Sequence, residues 1–345
     1  MSEPLLEVHD LVVRFERGGT LMRLATGRTE AIDAVAGVSF SVTAGETFAL
    51  VGESGSGKTT LARAIVGLTP ARSGAVRFEG RAVTGLSGPA LKRLHRDIAM
   101  IFQDPVGSLS PRFTVRGLLA EPFRIHGLAD RDLDAEVERL LGLVGLPRAL
   151  ADRLPHQLSG GQARRIGVAR AIALSPKLVI ADEPTAGLDV SVQGEVLNLL
   201  NDLRESLGLS MLIITHNLNV VRHVADRMAI MYLGRFVELG DTEAIFRGPR
   251  HPYGLALLSA NPEPDPDARP NRIALEGEVP SLLARPSGCE FHGRCPFVRE
   301  RCRHEAPGTT TDPDGRIYTC HYPLDSEAIP DGGAKHVAEE RPILR

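Results

Sequence analysis

TFALVGESGSGKTTLARAIVGL, residues 47–68, runs a short β-prone stretch into a glycine loop and the loop into a helical stretch. Its centre, Gly52–Thr59, satisfies G-x-x-x-x-G-K-[ST] at every position. Glycines at 52, 55 and 57 let the backbone turn sharply, so the N–H groups of Gly52, Glu53, Ser54, Gly55, Ser56, Gly57 and Thr60 can be aimed at phosphate oxygens. Lys58 would reach the β- and γ-phosphates, the Thr59 hydroxyl would ligate Mg²⁺, and the helix would present its positive end. A flexible glycine loop with an incidental lysine is the bland alternative. Strand before and helix after weigh against it.

Working outward, LVIADE (Leu178–Glu183) delivers two carboxylates at the end of a continuous apolar run, as expected of a strand buried on both faces. Asp182 is placed to hold Mg²⁺, and Glu183, pointing the other way, to act as general base on an attacking water. Gln103 follows an apolar run, residues 98–102, and His216 follows MLIIT (Met211–Thr215). Both therefore emerge at strand C-terminal ends, where ligands bind in open α/β sheets. Gln103 would sense Mg²⁺ or water, and His216 the γ-phosphate. Phe15 would either stack on adenine or fill the core from an early strand.

A second phosphate device stands apart from the first. LSGGQ (Leu158–Gln162) places Ser159 as a helix N-cap, while Gly160 and Gly161 leave the backbone bare at the start of the helix through ARRIGVARAIA. Free N–H groups and a positive dipole end are thereby offered to an anion. One mononucleotide needs one such loop, so a second chain is the expected reason for the other.

In this order, phosphate loop, Gln103, LSGGQ, LVIADE, Asp189 in TAGLD and His216, the chain resembles the ATP-binding cassette ATPases over roughly residues 5 to 260. The resemblance implies an α/β P-loop NTPase cassette: a RecA-like core with an antiparallel β subdomain and a helical subdomain at about 104–173. It implies that two cassettes face each other head to tail, with Ser159, Gly160, Gly161 and Gln162 of one closing over ATP held by the other. Asp189 would communicate across that interface. TAGLD where the family more often has SALD, and Asn217 where importers often have Asp, are mild departures.

Composition sets broader bounds. A formal net charge of −3 argues against a general nucleic-acid binder. Arg294, Arg299, Arg301 and Arg303 form a local basic patch, read as a solvated face. No run approaches the ~20 apolar residues that span a bilayer, and MSEPLLEVHD lacks the pattern of a signal peptide, so a cytosolic chain is expected. The segment from Glu16 to Glu30 reads as a polar insertion, NPEPDPDARP (Asn261–Pro270) as a linker, and 326–345 as a polar, poorly ordered tail. The expected division is 1–260 for the cassette and 261–325 for linker and extension.

All four cysteines, Cys289, Cys295, Cys302 and Cys320, lie in that extension. In a cytosolic chain such clustering favours metal over disulfides. Four thiolates suit Zn²⁺ or an iron–sulfur cluster. Wide spacing without paired knuckles favours the cluster, and His292, His304 and His321 stand by as alternative ligands. SGCEFHGRCP, the later TCH and the preceding HPYGLALLSANP resemble the C-terminal extension of dipeptide/oligopeptide/nickel importer ATPases, as do FQDPVGSLSPR and DEPTAGLDVSVQ. That resemblance implies a [4Fe-4S] cluster with a structural or regulatory role, ATP and Mg²⁺ as cofactors, and a place at the cytoplasmic face of the cell membrane. The implied partners are a second ATPase subunit, two permeases that meet the helical subdomain and the segment after Gln103, and an extracytoplasmic binding protein. A soluble cassette acting on ribosomes or nucleic acid, and a metal-dependent regulatory ATPase, are the rival readings.

Overall fold

The computed structural model describes residues 3–17, 30–104, 107–260, 273, 275 and 277–325. The chain opens with β1 (Pro4–Arg17), β2 (Glu30–Thr43), β3 (Thr47–Val51), α1 (Lys58–Ile65), β4 (Ser73–Phe78), β5 (Arg81–Ala82), α2 (Gly88–Asp97) and β6 (Ile98–Ile101). Three helices follow, α3 (Val115–Ile125), α4 (Leu133–Leu143) and α5 (Gly160–Ala171). Next come β7 (Leu178–Asp182), α6 (Val190–Leu207), β8 (Ser210–Thr215), α7 (Leu218–Val224), β9 (Arg227–Tyr232), β10 (Arg235–Asp241), α8 (Thr242–Arg247) and α9 (Pro252–Ser259). The cysteine segment adds α10 (Glu300–His304), β11 (Thr310–Thr311) and β12 (Ile317–Tyr318).

The strands make two sheets. One is antiparallel, in the order β2-β1-β4-β5. The other, β11-β12-β10-β9-β3-β8-β7-β6, is parallel from β6 through β9 and antiparallel beyond. Strand alternation divides the core in two. Leu178 and Ile180 on β7, with Leu212 and Ile214 on β8, face α1 and the antiparallel sheet. Val179 and Ala181, with Met211 and Ile213, face α3, α4, α5 and α6. A third apolar cluster joins Val51, Ile230, Tyr232, Tyr253 and Phe291.

Helix boundaries follow from side-chain caps. Thr114 accepts from the Gly117 N–H at the start of α3, and Asp132 accepts from Asp134 and Ala135 at the start of α4. These caps, with Gly127 at φ 72° between them, separate the two helices. The β9–β10 hairpin turns at Gly234, whose φ is 81°. In place of the polar insertion, β1 continues to Arg17 and β2 begins at Glu30; the residues between lie outside the described ones, as do the linker at 261–270 and the tail at 326–345. Among the described residues, no helix is long and apolar enough to cross a membrane.

One feature of the fold has no forecast in the sequence. The cysteine segment returns to the main sheet: β12 pairs with β10 through Glu238–Tyr318 and Leu239–Ile317. Two-residue strands carry no periodicity to read.

Candidate functional site

β3, β6, β7 and β8 are parallel, and their C-terminal ends converge on one edge of the sheet. Val51 leads there into the phosphate loop. Gly52 and Gly57 adopt φ 153° and 106°, and a Cβ on either would overlap a backbone carbonyl, that of Met231 or Ala34. The loop thus packs against β2 and the β9–β10 hairpin, and Ser56 O accepts from the Gly234 N–H at 2.8 Å. Lys58 is buried, and its Nζ donates to Gly52 O and Glu53 O, each at 2.8 Å, and to Ser56 Oγ at 3.2 Å. Burial lowers its pKa from the ordinary value, against the carboxylates of Glu183, Asp182 and Glu53.

Asp182, the last residue of β7, is 2 % exposed, and its Oδ1 accepts from the Thr59 hydroxyl at 3.2 Å. Burial raises its pKa, while the Thr59 bond pulls it down. Glu183 holds a left-handed φ of 48°, sparsely populated for a residue with a side chain. Its N–H donates to Ile214 O at 2.8 Å. Its Oε1 lies 3.1 Å from His216 Nδ1, and its Oε2 accepts from Gln103 Nε2 at 3.3 Å. Three residues predicted from separate strand ends therefore meet in one hydrogen-bonded group. Gln103, expected to sense Mg²⁺ or water, donates its amide nitrogen to Glu183.

Ser159 and Gln162 cap each other at the start of α5: Ser159 Oγ accepts from the Gln162 N–H at 3.2 Å, and Gln162 Oε1 from the Ser159 N–H at 3.0 Å. Around Gly160 and Gly161 there is open space. Buried Arg164, one turn on, donates to Pro184 O and Ala186 O, both at 3.1 Å, and so ties α5 to the loop after Glu183. Asp189 caps α6 by accepting from the Val192 N–H at 3.0 Å. Phe15 is 46 % exposed on β1, which removes the core reading.

The four cysteines line one small pocket with His251, Phe291, His292, Phe297, His321 and Tyr322. Burial raises the Cys295 thiol to about 12 and the Cys320 thiol to about 11, and Cys289 also moves up. Backbone N–H groups work in the other direction: those of Phe291 and His292 at Cys289, Phe297 at Cys295 and Tyr322 at Cys320. Among the described residues, no three His, Cys, Asp or Glu stand close enough to hold a metal ion. Of the alternative ligands, His292 and His321 line the pocket, while His304 is exposed and bonded to Glu300 at 2.9 Å.

Of the basic patch, Arg299, Arg301 and Arg303 are exposed as expected, and Arg294 is the correction. Arg294 is only 9 % exposed and forms a two-pronged pair with Glu53, at 2.8 and 3.0 Å. Arg299 stacks over Tyr322 at 4.2 Å, and Arg301 pairs with Glu305 at 2.6 Å. Two further residues at the site are not legible as such in the sequence. Tyr253 Oη accepts from the Glu53 N–H at 3.0 Å. Its pattern, HPYG, was visible, but a contact across 200 residues was not. Arg164 looked like any arginine on a helix.

Two family models match, "ABC transporter" over residues 35–186 and "Oligopeptide/dipeptide transporter, C-terminal region" over residues 237–302. The oligopeptide transport ATP-binding protein OppF of Salmonella typhimurium is 45 % identical over 308 residues, covering 88 % of this chain and 92 % of that one. The chain belongs to the ATP-binding subunits of the oligopeptide/dipeptide ABC transporter family. Within this family, the di/tripeptide transport ATP-binding protein DppF of Pseudomonas aeruginosa is 44 % identical, covering 93 % and 98 %. Among solved structures, the ATP-binding cassette MJ0796, a dimer bound to ADP and Pi, superposes with a TM-score of 0.60 at 26 % identity, over 69 % of this chain and 98 % of that one. The transporter C-terminal match contains Cys289, Cys295 and Cys302 and stops short of Cys320.

Proposed function

We propose that this chain is the ATP-hydrolysing subunit of a peptide importer. The observation that carries the ATPase reading is the group at the sheet edge: Thr59 on Asp182, and beside them Glu183 bonded by His216 and Gln103. In this reading other N–H groups of the loop and the Lys58 ammonium bind the phosphates, whereas the Glu53 N–H, expected among them, is taken by Tyr253 Oη and the Ser56 N–H by Glu53 O. Thr59 and Asp182 offer hard oxygen donors, which suit Mg²⁺. When bound, that ion neutralises charge on the phosphate oxygens. Glu183 takes the proton of a water whose oxygen attacks the γ-phosphorus as the bond to the ADP oxygen breaks. His216 and Gln103 orient Glu183. Replacing Glu183 with Gln should lower turnover about 10²–10⁴-fold while ATP binding persists. Wild-type turnover in that variant would refute its role as base.

Residues 1–260 are read as the cassette, with the helical part at 104–173, and 261–325 as linker and extension. Ser159 to Gln162 and Asp189 serve the ATP of a second cassette, as a dimeric relative suggests. Permeases dock on the membrane-facing side, and an extracytoplasmic binding protein supplies the peptide; names of relatives support peptide as the cargo. Recovery of permeases with the tagged chain, and loss of peptide uptake without it, test this assignment.

The cysteine pocket suits an iron–sulfur cluster better than one zinc ion. The four cysteines line one small pocket, and their wide spacing in sequence without paired knuckles suits a cluster. Cys289, Cys295, Cys302 and Cys320 would hold it, and it would cross-link the extension. Iron and sulfide analysis of anaerobically purified protein is the test, and stoichiometric zinc without visible absorbance sinks the cluster.

A further inference from the structure

Glu53 is the only acid in the phosphate loop, and it belongs to a device built to attract anions. A carboxylate a few ångströms from bound phosphates repels them, more strongly in a partly buried site than in water. The structure holds this residue from three directions. Its N–H donates to Tyr253 Oη, its carbonyl accepts from Lys58 Nζ, and both carboxylate oxygens accept from the Arg294 guanidinium. The arginine comes from 241 residues away, in the cysteine segment, directly before Cys295.

Arg294 is itself fixed. Its guanidinium lies over the Tyr232 ring at 6.0 Å. Tyr232 and Tyr253 pack at 4.8 Å, and Phe291 meets each of them at 5.3 Å. The aromatic group thus connects the residues around Cys289 and Cys295 with the hairpin beneath the loop. A planar fork on a carboxylate sets both distance and orientation, which a lysine does not.

We propose that Arg294 is a positioning residue for ATP binding: it neutralises Glu53 beside the phosphate-binding backbone and so makes nucleotide affinity depend on the cysteine segment. The proposal rests on the ATPase reading of the phosphate loop. It differs from a simple tether between two parts of the chain, because it assigns the harm of losing Arg294 to the charge left on Glu53.

That distinction sets the experiment: equilibrium ATP binding with Mg²⁺ by the full chain, alongside KM and kcat for hydrolysis. Arg294→Gln is expected to weaken ATP binding and raise KM about tenfold, with kcat little changed. Glu53→Gln should bind ATP at least as tightly as wild type. The double variant should return to within about threefold of wild type, since it removes both charges. A tether instead predicts that the double variant is no better than Arg294→Gln, and that outcome overturns the proposal. Wild-type affinity in Arg294→Gln, or a fall in kcat at constant KM, also overturns it. Should Arg294→Gln fail to fold, Arg294→Lys keeps the charge and loses the fork; it is expected to bind within about threefold of wild type, and a tenfold loss there overturns the proposal. Wild-type thermal unfolding in each variant confirms an intact fold. A wild-type chain that binds no ATP refutes the ATPase reading as well.

Discussion

The two phosphate devices of this chain are built on the same principle and finished in opposite ways. In the phosphate loop, Ser56 and Lys58 are buried, Gly52 and Gly57 touch backbone from β9 and β2, and Glu53 is gripped at its N–H, carbonyl and carboxylate. At LSGGQ, Ser159 and Gln162 cap one another, and Gly160 and Gly161 face open space. Both present N–H groups at a helix start. One is preorganised by its own chain, and the other offers a bare surface suited to a ligand that arrives from outside. The difference fits the composite site proposed above, in which each chain would complete one half and lend the other.

The comparison is broken most forcefully at Gly57. Gly57→Ala forces a Cβ into the Ala34 carbonyl at a positive φ, and is expected to cost about 2–5 kcal/mol and abolish ATP binding by the single chain. Thermal unfolding and nucleotide binding measure this. Ser159→Arg should leave single-chain ATP binding intact but lower turnover of the assembled pair roughly 10²-fold, since the donors meant for the other nucleotide are blocked. Weakened binding in the isolated chain would place LSGGQ on its own nucleotide instead. Arg164→Ala removes the link from α5 to Pro184 and Ala186 and strands two carbonyls, with an expected loss of about 1–3 kcal/mol in denaturant unfolding. Gly160→Ala lies at the other extreme. It meets open space at a helix start, so stability should hold or rise by less than about 1 kcal/mol; a large loss would mean the glycine is packed.

Much of the nucleotide site is legible in the sequence because its parts are local. A strand, a glycine loop and a helix occupy consecutive residues, and Asp182 and Glu183 end an apolar run of the length a buried strand needs. Gln103 and His216 each follow an apolar run in the sequence, but their meeting on Glu183 depends on the order β3-β8-β7-β6, which no local pattern encodes. Arg294 shows the opposite failure. Among neighbouring arginines it reads as a solvated face, and only the return of the cysteine segment to β10 brings it against Glu53.

By itself, then, the sequence determined the chemistry that short-range covalent order can carry: phosphate-binding turns, helix caps, strand-end carboxylates and a thiol-rich extension. Tertiary structure alone decided which distant groups share a site. Glu183 acquired its two partners from neighbouring strands, and Glu53 its counter-charge from the far end of the chain, because sheet order and aromatic packing bring together residues whose separation in sequence leaves no periodic trace.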